Sequence, residues 1–145
     1  MKRLLPVLAL ALLVCTGLPP CSTPTLAASA ATDVQSDAIL GRAFKNRTSN
    51  LQVEGRGVVA KVLRDDVDGS RHQRFIVRLR SGQTLLIAHN VDVAPRVPSI
   101  MERDIVLFYG EYEWNSKGGV IHWTHRDPDG RHVAGWLKHK GRIYQ

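Results

Sequence analysis

Hydrophobic and polar positions change rhythm three times along the chain. Apolar residues run almost unbroken from Leu4 to Val14, recur at helical spacing around 34–44, and from 53 onward alternate with polar residues at a period of two. The alternating part predicts strands over 53–63, 72–79, 84–89, 104–114 and 120–125, separated by turn-forming clusters such as AspAspValAspGlySer at 65–70 and ArgSerGlyGln at 80–83. The helical part places Val34, Ala38, Ile39, Ala43 and Phe44 on one side of a short helix that Thr32 or Asp33 can cap. Between 90 and 103 stand Pro95 and Pro98, so neither a regular helix nor a central strand runs through that connection. A last short piece, 135–144, bends at LysHisLysGly.

A meander of three strands, a crossing loop and a hairpin are what an OB-like barrel needs, and closure would leave no exposed edge. The expected fold class is therefore all-β: a small OB-like five-stranded barrel with a short N-terminal helix after a signal peptide. A sandwich or open sheet is the alternative. The expected divisions are 1–30 (signal peptide), 31–52 (helix and linker) and 53–145 (barrel).

Within the hairpin, the four-residue loop AsnSerLysGly at 115–118 sets Trp114 opposite Gly119, which puts Tyr112 opposite Ile121 and Gly110 opposite Trp123. Phe108, Tyr112, Trp114, Ile121 and Trp123 then share a core face, and Glu111, Glu113, His122 and Thr124 share a polar one. A one-residue slip would mix the two sets. AspProAspGly at 127–130 has Pro at the second turn position and Gly at the fourth, as a type I turn prefers.

The first thirty residues change the picture of compartment. MetLysArg, an apolar run too short to span a membrane and a Pro/Ser/Thr stretch ending in AlaSerAla at 28–30 form the pattern of a secretory signal, with cleavage expected near Ala30. That predicts a periplasmic or extracellular protein with no transmembrane segment in the mature chain. Cys15 and Cys21 both precede the cut, which leaves the mature domain without a disulfide. Val14 and Pro20 stand before them where a lipid anchor wants a small residue, so no lipid anchor is expected.

Lys2 and Arg3 are the only charges before the cut, so the net charge of +7 becomes +5 in the mature chain. A basic surface favours an anionic polymer, nucleic acid or acidic glycan, although spread basic residues also serve plain solubility.

HQRFIVRL at 72–79, LLIAHNVDVAPR at 85–96, FYGEYEWNSKGGVIHWTHRDPDGRHVAGWLKH at 108–139 and the terminal IYQ resemble a family of small secreted bacterial proteins defined as a domain of unknown function, with an HWTH, DPxG and GW signature. The resemblance covers about 55–145. It implies secretion and no particular activity, cofactor or catalytic residue.

Candidate chemistry gathers in 118–136. His122 opposite Glu111, with Glu113 and Thr124 on the same face, is an acid/base or metal candidate, because a carboxylate can hold a histidine tautomer or share an ion with it. The bland alternative is a surface polar ladder. His125 and His132 flank the turn: with a two-residue loop they face each other beside Asp127 as a two-histidine, one-carboxylate site, and with Gly130 as a left-handed bulge they separate. The bulge is the reading ProAspGly favours. His89, Asn90 and Asp92 leave the third strand where barrels often bind ligands, a position equally suited to side chains that bond local backbone.

Asp66, Asp68 and Ser70 lack the closing Glu of a calcium loop. The mature sequence shows no nucleophile elbow, phosphate loop, dinucleotide glycine pattern or cysteine nucleophile, which argues against serine hydrolase, NTPase, Rossmann and thiol chemistry. Two functions remain. One is a binding module that holds an anionic or oligomeric ligand, either single-stranded nucleic acid or acidic glycan. The other is a metal-assisted phosphodiesterase or nuclease in which zinc or another divalent metal works with His122 and Glu111.

Overall fold

The computed structural model describes residues 26–145. Among them a helix, α1 (Leu26–Asn46), precedes seven strands: β1 (Leu51–Val62), β2 (His72–Arg78), β3 (Thr84–Asn90), β4 (Ile105–Glu113), β5 (Val120–His122), β6 (Trp136–His139) and β7 (Arg142–Tyr144). The apolar run and both cysteines of the expected leader lie outside the described residues. No helix among the described residues is long and apolar enough to cross a membrane.

The strands hydrogen-bond in the order β1-β2-β3-β5-β4, and β1 closes the circle by pairing with β4 from Leu51↔Tyr112 to Val58↔Ile105. β3 and β5 run parallel, Leu86 beside Val120 and Ile87 beside Ile121. This is the OB-like five-stranded barrel expected from the strand pattern. β6 and β7 add a short hairpin on the outside of β4, joined by Lys140 and Gly141, both at positive φ (47° and 81°), as a two-residue primed turn requires.

Alternation fills the interior. Val53, Val59, Phe75, Val77, Leu85, Ile87, Val106, Phe108, Tyr112, Ile121 and Leu137 are all buried in one cluster. The expected hairpin register holds at β4 and β5: Tyr112 pairs with Ile121 and Glu111 with His122. Beyond His122 it does not, for the reason given below.

The helix departs from expectation at its start and in its buried face. It begins at Leu26, so Thr32 and Asp33 lie inside it rather than at a cap. Ser36, Asp37, Leu40 and Ala43 turn inward, while Val34 is 54% exposed. Polar anchors set this rotation. Asp37 accepts the Ser81 backbone N–H at 2.8 Å, Asp33 pairs with Arg56 at 3.2 Å, and the Trp114 indole donates to the Phe44 carbonyl at 3.1 Å. Arg47 ends the helix in the left-handed conformation (φ 55°), and Thr48 N–H returns to the Ala43 carbonyl.

Phe108 is wholly buried, so Phe108→Ala is expected to cost about 3–5 kcal/mol in denaturant unfolding. Val34→Ala, on the exposed side of α1, should stay within about 0.5 kcal/mol of the parent.

Candidate functional site

One edge of β4 serves two partners. β5 pairs with it over Glu111–Glu113 and β6 over Val106–Tyr109, which leaves Gly110 as the point where one gives way to the other. The chain between them, 123–135, must leave and re-enter at that point. Gly110 makes the exit possible: a Cβ there would lie 2.4 Å from the His122 carbonyl oxygen. Gly135 makes the return possible, since its Cβ would lie 2.0 Å from the Trp123 carbonyl oxygen and 2.4 Å from that of Tyr109.

At the exit Trp123 takes a left-handed conformation (φ 51°), which is unusual for a bulky residue and reverses which side of the sheet the following side chains face. Two sequence-based expectations fail here. Trp123 was expected in the core with Phe108 and Tyr112; it is instead half-buried on the outside, its ring stacked on His132 at 4.1 Å and tilted against His125 at 5.4 Å. Thr124 was expected on the polar face beside Glu111; it is fully buried, and its hydroxyl meets His89 Nδ1 at 2.8 Å. Alternation cannot see a single left-handed residue, so Trp123 and Thr124 stand on the sides opposite to those expected.

Glu111 lies between two histidines. His122 Nε2 is 3.4 Å from one carboxylate oxygen, and His132 Nε2 is 2.7 Å from the other. The two rings differ in proton affinity. Burial pushes the His122 pKa down, against the charges of Glu111 and Glu113. Burial also opposes the charge on His132, but the hydrogen bonds to Glu111 and to the Val133 carbonyl, with the charges of Glu111 and Asp127, raise its pKa. Glu111, Glu113 and His122 bring three potential metal donors within 4.8 Å of one another.

The remaining candidates are distributed differently. The two-histidine, one-carboxylate site at the turn does not form. The turn itself does, with Gly130 N–H bonded to the Asp127 carbonyl and Gly130 left-handed (φ 67°), but no strand ladder flanks it. The Asp127 carboxylate accepts the backbone N–H groups of Asp129, Arg131 and His132, and these bonds hold its pKa below the usual range. His125 is buried, its Nδ1 on the Arg126 carbonyl. Asn90 accepts the Asp92 N–H, and Asp92 accepts the Arg71 N–H, so both organise the strand end.

His89 is also internal. Its Nε2 faces the Pro95 carbonyl at 3.1 Å, an acceptor, so Nε2 carries the proton and Nδ1 accepts from Thr124. Burial pulls its pKa down to about 4.

Two adjoining hollows of about 280 and 300 Å³ run across the outer face of β2, β3 and β5 and share His72, Ala88 and His122. Together they form a groove with Arg74 and Asp66 at one end and Trp123 and His125 at the other. The sequence reading missed His72, Arg74 and Ala88 as groove residues. Their signal was available: each is an outward position of an alternating strand, with a small residue between longer ones. The His132 contact with Glu111 had no local signal, because a long irregular loop makes it.

A model of the family described as a protein of unknown function, DUF3465, matches residues 24–145, and the chain belongs to that family. No curated protein and no solved structure matches the chain.

The depressed His89 pKa makes stability depend on pH. The unfolded ring binds a proton near pH 6.5 and the folded one only near 4, so the contribution is complete above about 6.5 and is lost as pH falls toward 4. Denaturant unfolding is expected to show a loss of about 3 kcal/mol from this group over that window. His89→Gln should flatten the slope, and equal slopes in both proteins would contradict the buried neutral ring.

Proposed function

We propose that this member of the family is a binding module for an anionic oligomer, in the first place single-stranded nucleic acid, lying in the groove across β2, β3 and β5. The observation that carries the reading is the groove's continuity. It follows the face that OB-like barrels use for oligonucleotides and oligosaccharides, and it ends on an aromatic ring. Trp123 offers a stacking surface at one end and His122 a ring N–H along the floor; the His72 Nδ1–H is spent on the Ser70 carbonyl, and Arg74 stands at the other end paired with Asp66 at 3.1 Å. The net charge of +7, or +5 without Lys2 and Arg3 of the expected leader, draws a polyanion toward the protein from a distance. A polymer fits better than a compact ligand, because the hollows are shallow and joined end to end.

A second reading, metal-assisted hydrolysis of a phosphodiester, is favoured by one observation: the Glu111, Glu113 and His122 donors converge on a groove wall. An ion there would polarise a phosphate bound beside Trp123. The two readings share the groove and differ in whether the polymer is cut.

Fluorescently labelled single-stranded DNA and an acidic oligosaccharide, titrated at low and at physiological salt, separate these possibilities. DNA binding is expected, weakening steeply as salt rises. Trp123→Ala should weaken it by about 5- to 100-fold, the loss of one stacked base. Absence of binding to either polymer at low salt would overturn the binding module. Cleavage of the DNA that depends on added metal would establish the second reading.

A further inference from the structure

We infer that Glu111, Glu113 and His122 form a zinc site whose open coordination position faces the groove, with His132 orienting Glu111 rather than binding the ion. The inference deepens the reading of the groove and rests on it only for location, since the ion can be tested without any polymer.

The donor chemistry comes first. Glu111 and Glu113 are two apart on β4, so both carboxylates project from the same outer face, and Glu111 pairs across the strands with His122 on β5. Their donor atoms lie within 4.8 Å of one another. His122 Nε2 stands 3.4 Å from a Glu111 oxygen. That is close to the edge of a zinc tetrahedron, about 3.3 Å for bonds of about 2.0–2.1 Å. Glu113 is the donor that must close in. One of its oxygens accepts the Asn50 N–H at 3.2 Å, so the other is the one that would turn to the ion.

A second observation is independent of the spacing. The His122 side chain is a third exposed, but its Nε2 is shielded from solvent and makes no hydrogen bond of good geometry, its nearest acceptor being a Glu111 oxygen at 3.4 Å. A shielded polar nitrogen without a partner is costly in a folded protein. With the ring proton on Nδ1, its lone pair and two carboxylates converge, and His132 meets only the far oxygen of Glu111. A divalent cation satisfies all three at once. One imidazole and two carboxylates suit zinc, and the affinity order of divalent metals places manganese well below it.

His132 completes the arrangement from outside. Its Nε2 holds the second Glu111 oxygen at 2.7 Å, and its Nδ1 is fixed on the Val133 carbonyl at 2.8 Å. The ring is clamped from the other side by Trp123. A carboxylate held in this way by a neighbouring side chain presents one oxygen to an ion and keeps it there. His122 and Glu113 both line the groove, so the fourth position opens where a ligand oxygen would lie.

Isothermal titration calorimetry of the chelator-treated, reduced full-length chain with zinc chloride alone tests this. One ion per chain is expected, with manganese binding more weakly. His122→Ala and Glu113→Gln should each weaken zinc by at least about tenfold, and His132→Ala should weaken it by about 10- to 100-fold through Glu111. Cys15 and Cys21 remain in every variant, so zinc held by thiolates would survive these substitutions. Glu113→Gln keeps the shape of the side chain and serves where His122→Ala fails to fold. Absence of saturable zinc binding would overturn the inference, as would affinity unchanged in a folded Glu113→Gln. Absence of zinc binding in a protein that still binds DNA would leave the binding module standing while the metal site fails.

Discussion

The site depends on a steric constraint at Gly110, where one edge of β4 passes from β5 to β6. The His122 carbonyl comes so close to this position that no side chain fits, and the Thr124 methyl lies against the same spot. The chain can leave the sheet only there, and it does so through a left-handed Trp123. Gly135 then seats the returning strand against the Trp123 and Tyr109 carbonyls, and its N–H bonds the His125 carbonyl at 2.9 Å. Between these two points the loop has little choice about where its side chains lie. His132 reaches Glu111, Trp123 covers His132, and Thr124 drops into the barrel onto His89. The strain of one residue in a sparsely populated conformation is offset by these contacts.

The arrangement separates two kinds of histidine. His89 is an interior residue with both ring nitrogens committed to the chain itself, through Thr124 and Pro95, whereas His125, buried at the end of the groove, commits Nδ1 to the Arg126 carbonyl. His139, also buried, sits on Asp104 at 2.8 Å and fastens β6 to the start of β4. His122, His132 and His72 lie at or beside the groove. Of these His132 is spent on Glu111, which leaves His122 as the imidazole whose inward nitrogen has no partner. Histidine content alone therefore says little about chemistry here; what matters is which nitrogens the fold leaves free.

Much of the barrel was legible because period-two alternation and short turns fix register locally. AsnSerLysGly set Tyr112 opposite Ile121 and Glu111 opposite His122, and those pairs stand. The buried side of α1 was misread because its rotation depends on Asp37, Asp33 and Trp114, whose partners are remote in sequence. Trp123 and Thr124 were placed on the wrong faces because one positive φ inverts the pattern, and alternation carries no record of dihedral sign. Asp127 read as a ligand candidate because a carboxylate that caps a turn has the same one-letter appearance as one that binds an ion. The meeting of Glu111 with His132 required the loop's path, which the two glycines dictate without any motif of their own.

The claim that Gly110 governs this path is open to direct measurement. Nuclear Overhauser contacts between the Trp123 indole and the His132 imidazole report whether the loop lies over Glu111. In the parent protein they should be strong, given rings stacked at 4.1 Å. In Gly110→Ala, provided the barrel remains folded, they should vanish, because a single methyl group forces the His122 carbonyl away and the loop with it. Retention of the same contacts in a folded Gly110→Ala would contradict the account, since the exit would then not depend on the missing side chain.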